Sequence, residues 1–169
     1  VCQDFVTQFT DQSTSATGNV TAWAWTFGDG YTSTLQNPPH TYSACGIFAA
    51  TLTVTTNLGC QKSLTKQVEV YCLPVAAFTA PDVCQNFITS FTDQSSSATG
   101  SIVTWQWTLG DGTNSAQQHP SRQYVSCGSY SPELVVTTDK GCKDTLSKTI
   151  VVRCLPSADF SFTQVCLNA

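Results

Sequence analysis

The chain repeats itself at a period of 82 residues. Cys2, Cys84 and Cys166 stand 82 apart, as do Cys45 and Cys127, Cys60 and Cys142, and Cys72 and Cys154. "FTDQSTSATG" (9–18) returns as "FTDQSSSATG" (91–100), and "WTFGDG" (25–30) returns as "WTLGDG" (107–112). A period this long is a whole domain repeated, since roughly 80–100 residues suffice for a small β-sandwich. The sequence divides into copy one (1–73), copy two (74–155) and the first strand of a third repeat (156–169). "SADFSFTQVCLNA" at the end matches "VAAFTAPDVCQNF" (75–87), and copy one lacks the counterpart of Val75–Asp82. Copy one is therefore expected to lack its first strand. The whole reads as a stretch of a longer array, out of phase with its domains.

Composition says what each copy is made of. Charged residues are 11% and methionine is absent, while Thr, Ser, Val and Gln abound. That is poor helix material and good strand material. A net charge of −4 gives no footprint for nucleic acid or an anionic membrane. No apolar run approaches the 18 or so residues of a membrane-spanning helix. Nine cysteines in fixed register point to an oxidising compartment and structural disulfides. No Cys-x-x-Cys occurs, and neither histidine repeats: His40 aligns with Arg122, and His119 with Asn37. No metal or other cofactor is expected.

Copy two shows the strands most clearly: "AAFTA", "NFITSFTDQ", "VTWQWTLGDG", "YSPELVVTT" and "KDTLSKTIVV", separated by turn signals. Several short alternating strands with no helical period predict an antiparallel sandwich. Residues two apart on a strand share a face. Phe87, Thr89 and Phe91 are thus placed together, and so are Tyr130, Pro132, Leu134 and Val136. Trp23, Trp25 and Phe27 point one way, and Trp105, Trp107 and Leu109 match them. Their opposite faces are small or polar, so these aromatic stripes are read as core.

The turns Gly28-Asp29-Gly30 and Gly110-Asp111-Gly112 leave those strands. Glycine supplies positive φ or close approach, and an Asp side chain accepts backbone N–H bonds. Asp29 and Asp111 are therefore read as turn staples. A lone carboxylate lacks the several oxygens calcium needs and the second group that acid–base work requires. No catalytic residue is expected.

Residues 20–56 resemble the polycystic kidney disease (PKD) domain family. Its pattern is an aromatic-x-Trp-x-Phe-Gly-Asp-Gly strand and turn, then Asn-Pro-x-His-x-Tyr, then Gly-x-Tyr/Phe. Copy one carries Trp25, Phe27, Gly28, Asp29, Gly30, Asn37, Pro38, His40, Tyr42, Gly46 and Phe48. Copy two carries Trp107, Gly110, Asp111, Gly112, Tyr124, Gly128 and Tyr130, and departs with Leu109 and Arg122. The departure at Arg122 limits His40 to a local hydrogen bond. The resemblance implies tandem, seven-stranded immunoglobulin-like sandwiches, non-catalytic and extracellular, at a cell surface or secreted. In surface proteins of gliding or particle-attached bacteria such domains form stalks, adhesin segments or filaments; others are accessories of secreted hydrolases. No exposed aromatic is seen to recur as a sugar platform, since Tyr31 aligns with Thr113 and Tyr71 with Arg153. That favours a structural or adhesive array over a carbohydrate-binding accessory. The partners expected are neighbouring repeats of this chain or of identical chains, and surface glycans or other cells.

In such a sandwich the Cys-Gly turn and the last strand's end lie at one pole, and the Gly-Cys turn at the other. Strand lengths separate the poles by roughly 30–35 Å, while a disulfide needs Cα atoms within roughly 4.4–6.8 Å. Counting outward from the hairpin turn sets Cys45 opposite Cys72, and Cys127 opposite Cys154. Each bond would close a loop of about 28 residues, worth roughly 3–4 kcal/mol in the loop-entropy model. The rival set is Cys84–Cys127 with Cys72–Cys142. Stacking the domains end to end leaves Cys2–Cys142 as an inter-domain pair, with Cys60, Cys84 and Cys166 unpaired within the chain. The linker, with Pro74 and Pro156, contains no flexible Gly-Ser run. A stiff rod with a rise of roughly 35–45 Å per domain is expected. Two accounts of the unphased ends remain: a longer polypeptide, or addition of strand Ala158–Thr163 to copy one of a neighbouring chain.

Overall fold

A computed structural model describes residues 1–162. The expected Thr163 and Cys166 lie outside the described residues. Every regular element among those described is a β-strand, and the strands form two tandem immunoglobulin-like sandwiches.

Each copy has a four-stranded antiparallel sheet of the same order. In copy one it runs Thr32–Ser33, Val20–Thr26, Gly46–Thr56, Gln61–Val70. In copy two it runs Asn114–Ser115, Ile102–Thr108, Glu133–Thr138, Lys143–Ser147. Even the irregularity repeats: the register shifts between Val20 and Ala22 and between Ile102 and Thr104. The other layer is built from short pairs, Val6–Gln8 with Pro39–Thr41 and Ile88–Ser90 with Ser121–Gln123. Copy two adds Gly128–Tyr130, Ile150–Arg153 and Val83–Cys84 in one three-stranded sheet.

The copies differ in their long hairpin. Copy one pairs Gly46–Thr56 with Gln61–Val70 without a break. Copy two divides the same stretch, because Pro132 stands where copy one has Ala50. Proline donates no ladder hydrogen bond, so the ladder is interrupted there, while Gly128–Tyr130 keeps opposite Ile150–Val152 the register that Gly46–Phe48 has opposite Val68–Val70.

The aromatic stripes are core at their inner two positions. Trp25, Phe27, Trp107 and Leu109 are buried. Trp23 and Trp105 only pack against the core edge and remain half-buried. The expected Phe87–Thr89–Phe91 face is corrected. Phe87 sits in a turn before strand Ile88–Ser90 and is 61% exposed, because Asn86 adopts φ +68° and lifts it out of register. Its counterpart Phe5 follows Asp4 at φ +62° and is 57% exposed. An exposed aromatic therefore does recur once per copy, which the sequence reading had denied.

Candidate functional site

Two carboxylates per copy organise the strand that carries the tryptophans. At the Gly-Asp-Gly turn of copy one, the Tyr31 N–H donates to Asp29 Oδ1 (3.2 Å), and His40 Nε2 lies 2.7 Å from Asp29 Oδ2. The imidazole stacks on Phe27 at 4.0 Å between centroids, with the planes 4° apart. The Tyr42 hydroxyl closes the group by donating to the Phe27 carbonyl at 3.1 Å. Gly28 has φ +87°, and a Cβ there would meet the Ala49 nitrogen at 2.7 Å, so only glycine fits.

Copy two keeps the arrangement with other side chains. Asp111 Oδ1 accepts from the Thr113 amide (3.1 Å) and hydroxyl (2.5 Å). Arg122 Nε–H donates to Asp111 Oδ2 at 2.6 Å, and the Tyr124 hydroxyl donates to the Leu109 carbonyl at 2.7 Å. His40 and Arg122 thus share one job: each ties the strand that bears it to the turn. Burial opposes ionisation of Asp111, but the bonds from Thr113 and Arg122 outweigh it and hold the carboxyl below the usual range. Burial, helped by the Asp29 and Asp111 charges, pushes the Tyr42 and Tyr124 hydroxyls up to about 12. A carboxylate with both oxygens engaged is a brace. Among the described residues no group of three or more His, Cys, Asp or Glu side chains could hold a metal ion.

The second carboxylate was not foreseen. Trp23 Nε1–H donates to Asp11 Oδ2 (2.6 Å), and Trp105 Nε1–H to Asp93 Oδ2 (2.7 Å). Gln36 and Gln118 donate to the same oxygens, while Ser13 and Ser95 amides cap the others. This explains why the outer tryptophans stop at half burial: their indole N–H needs a partner, and the Asp supplies it at the rim. The signal was in the sequence, as both Asp–Trp pairs are separated by 12 residues inside the repeated "FTDQS…W" stretch.

A pH prediction follows. Despite desolvation, the bonds from Ser, Gln and Trp set Asp11 and Asp93 below the ordinary value of 3.8. A depressed folded-state pKa gives stability that is present above the unfolded value and lost as pH falls through the folded one. The melting temperature is expected to be level above about pH 5 and to fall below about pH 4. Asp93→Asn should flatten that fall in thermal melts taken across the pH series. An equal fall in the variant would show that Asp93 is not its source.

Among the described residues six cysteines form three bonds. Cys45–Cys72 and Cys127–Cys154 each join strands within a copy, with Cα atoms 4.8 Å apart. Cys2 of copy one meets Cys142 of copy two across the junction, at a Cα separation of 5.6 Å. The linker beside it is held by the Cys72 N–H donating to Thr99 Oγ1 at 2.7 Å, and Lys140 Nζ lies 5.6 Å from the centre of the Tyr71 ring. Cys60 and Cys84 are free and exposed.

The family model for the PKD domain matches residues 1–72 and again residues 73–154. The chain belongs to the PKD domain family. The pre-pro-metalloprotease PrtV of Vibrio cholerae serotype O1 is 29% identical over 140 residues, covering 80% of this chain and 15% of that protein. The microbial collagenase of Vibrio alginolyticus is 39% identical over 72 residues, covering 43% of this chain and 9% of the collagenase. The crystal structure of the PKD1 domain of PrtV is 37% identical and covers 48% of this chain and 98% of that domain, with a TM-score of 0.45. The chain thus spans only a small part of the length of its curated relatives.

Proposed function

We propose that this PKD pair is a non-catalytic, extracellular accessory segment of a secreted hydrolase. It holds flanking parts at a fixed spacing and touches polymeric substrate through Phe5 and Phe87. The observation that carries the reading is the alignment of 80% of the chain with a metalloprotease. The alignment with a collagenase adds to it. These relatives favour an accessory role over the stalk or adhesin array expected from the sequence. The recurrence of an exposed phenylalanine in each copy removes the main objection to an accessory that makes contact. Rings of this kind stack on sugar faces or on the apolar parts of a protein fibre.

The test is retention of the 169-residue chain on insoluble collagen and on chitin. Retention on at least one is expected, with Phe5→Ser/Phe87→Ser lowering it at least fivefold and leaving the thermal melt unchanged. No retention on either polymer, or retention indifferent to the double substitution, overturns the reading.

A further inference from the structure

The Asp93 carboxylate that braces Trp105 also walls a recess of about 310 Å³ on copy two. Trp105, Ile102, Gln118 and residues of the loop 95–101 complete its lining. The indole is fixed from two directions. It packs against the copy-two core, and Asp93 Oδ2 accepts its N–H at 2.7 Å. The rest of the ring borders the recess.

The loop is fixed as well. The Ser97 hydroxyl donates to the Thr99 carbonyl at 2.8 Å, and the Ser101 N–H donates to Asp139 Oδ1 at 3.0 Å. Gly100 has φ +76°, and a Cβ there would collide with the Asp139 carboxylate. Walls held in this way need no reordering when a ligand enters, so little affinity is lost to ordering them.

The chemistry of the lining selects a ligand class. Asp93 is its one ionisable group, and both carboxylate oxygens are engaged. The Ser95 N–H donates to Oδ1, while Trp105 and Gln118 donate to Oδ2. Among the described residues no lysine or arginine lines the recess. The recess thus offers no countercharge to an anion and no open carboxylate to a cation. Three uncharged polar groups stay free. Among the described residues Gln118 Oε1 and the hydroxyls of Ser96 and Ser101 bond to no protein atom. An aromatic surface beside uncharged hydrogen-bonding groups matches a sugar ring, which has an apolar C–H face and a rim of hydroxyls. The volume is at the small end of ligand sites, roughly 300–1,000 Å³, and suits one ring of a longer chain.

The repeat adds a separate argument. Serine and tryptophan already hold the aspartate, so the brace does not require Gln118. Copy one nevertheless has Gln36 in its place, donating to Asp11 Oδ2 at 3.2 Å. Other exposed positions change freely between the copies. Leu35, next to Gln36 in the same turn, becomes Gln117, and Tyr31 becomes Thr113. A repeated exposed glutamine beside a repeated half-buried tryptophan is a pairing that folding alone does not demand.

We propose that the copy-two recess is a binding subsite for one neutral sugar ring of a glycan chain. The C–H face of the ring lies against Trp105 and Ile102. Its hydroxyls donate to Gln118 Oε1 and exchange hydrogen bonds with Ser96 and Ser101. One ring, one aromatic surface and a few hydrogen bonds give millimolar affinity. The subsite goes beyond the contact assigned to Phe5 and Phe87, and it needs neither of those rings.

The experiment titrates the isotope-labelled 169-residue chain with cellotetraose and with tetraacetylchitotetraose, and with tetragalacturonate as the anionic control. Saturable NMR shifts of the Trp105 indole N–H and of the amides in the loop 95–101 are expected at millimolar sugar for at least one neutral probe. Tetragalacturonate should bind at least tenfold more weakly. Ser101→Tyr, at an exposed position, fills the recess and should weaken binding at least tenfold with an unchanged thermal melt. Gln118→Ala removes one acceptor and should weaken binding about fivefold; it decides alone if Ser101→Tyr lowers the melt. Phe5→Ser/Phe87→Ser should leave these shifts unchanged even where it abolishes retention on collagen or chitin, so the two readings fail separately. The absence of saturable shifts with both neutral sugars overturns the proposal. So does equal binding of the anion, binding indifferent to the recess substitutions, or binding lost in Phe5→Ser/Phe87→Ser.

Discussion

Trp107→Ala is expected to cost copy two about 3–5 kcal/mol, the range for emptying a large aromatic site in a closed core. For a domain of this size that lowers its melting temperature by roughly 15 °C or more. Trp107 is 1% exposed and touches Phe78 and Phe91 at 5.0 and 5.5 Å between ring centres. Its indole N–H donates to the Gln117 carbonyl at 2.9 Å, a bond that the substitution also removes. The lining of such a cavity loses contacts it cannot recover. Trp25→Ala should cost about half as much. The Trp25 ring borders an open groove, where Phe9 and Leu52 already meet solvent and can settle into the gap. Two resolved thermal transitions, one per copy, would be compared between the variants. Equal losses in the two copies would mean that the groove has no energetic consequence.

Much of this was legible in the sequence because a domain repeat supplies its own alignment. The period showed which residues occupy equivalent places, and alternation showed which of them turn inward. Trp25, Phe27, Trp107 and Leu109 were readable on that basis alone. Alternation failed where the backbone leaves the strand. Asp4 and Asn86 at positive φ turn Phe5 and Phe87 outward, and a two-residue period carries no sign of that. It failed again at Trp23 and Trp105. A strand face says which side a ring is on, but the indole N–H then chooses its depth by the acceptor it finds. The role shared by His40 and Arg122 was hidden for another reason. An imidazole and a guanidinium look unrelated in an alignment, yet both present an N–H to the same aspartate oxygen.

Cys2→Ser is expected to change the geometry of the pair far more than its stability. The Cys2–Cys142 bond spans 140 residues. In the loop-entropy model a loop that long is worth about 5 kcal/mol, but only if everything inside it unfolds as one unit. The copies are not one unit. Each has its own core cluster and its own disulfide across a separation of 27 residues. What joins them besides the bond is the Cys72–Thr99 contact, the Lys140–Tyr71 contact and a linker stiffened by Pro74. Each copy should therefore unfold by itself, and Cys2→Ser should leave both thermal transitions within roughly 2 °C of the parent. Cys45→Ser, by contrast, should lower the copy-one transition by an amount matching roughly 3 kcal/mol. The cost of Cys2→Ser falls on orientation. Two weak polar contacts do not fix an angle that a covalent bond fixes, so the scattering profile should change from one narrow shape to a broad ensemble. The linker at Leu73, half-buried in the parent, should also open to a protease that spares the parent. Unchanged scattering in Cys2→Ser would show that Pro74 and the packing at Thr99 set the angle alone, and the bond would then be a lock on a geometry it does not create.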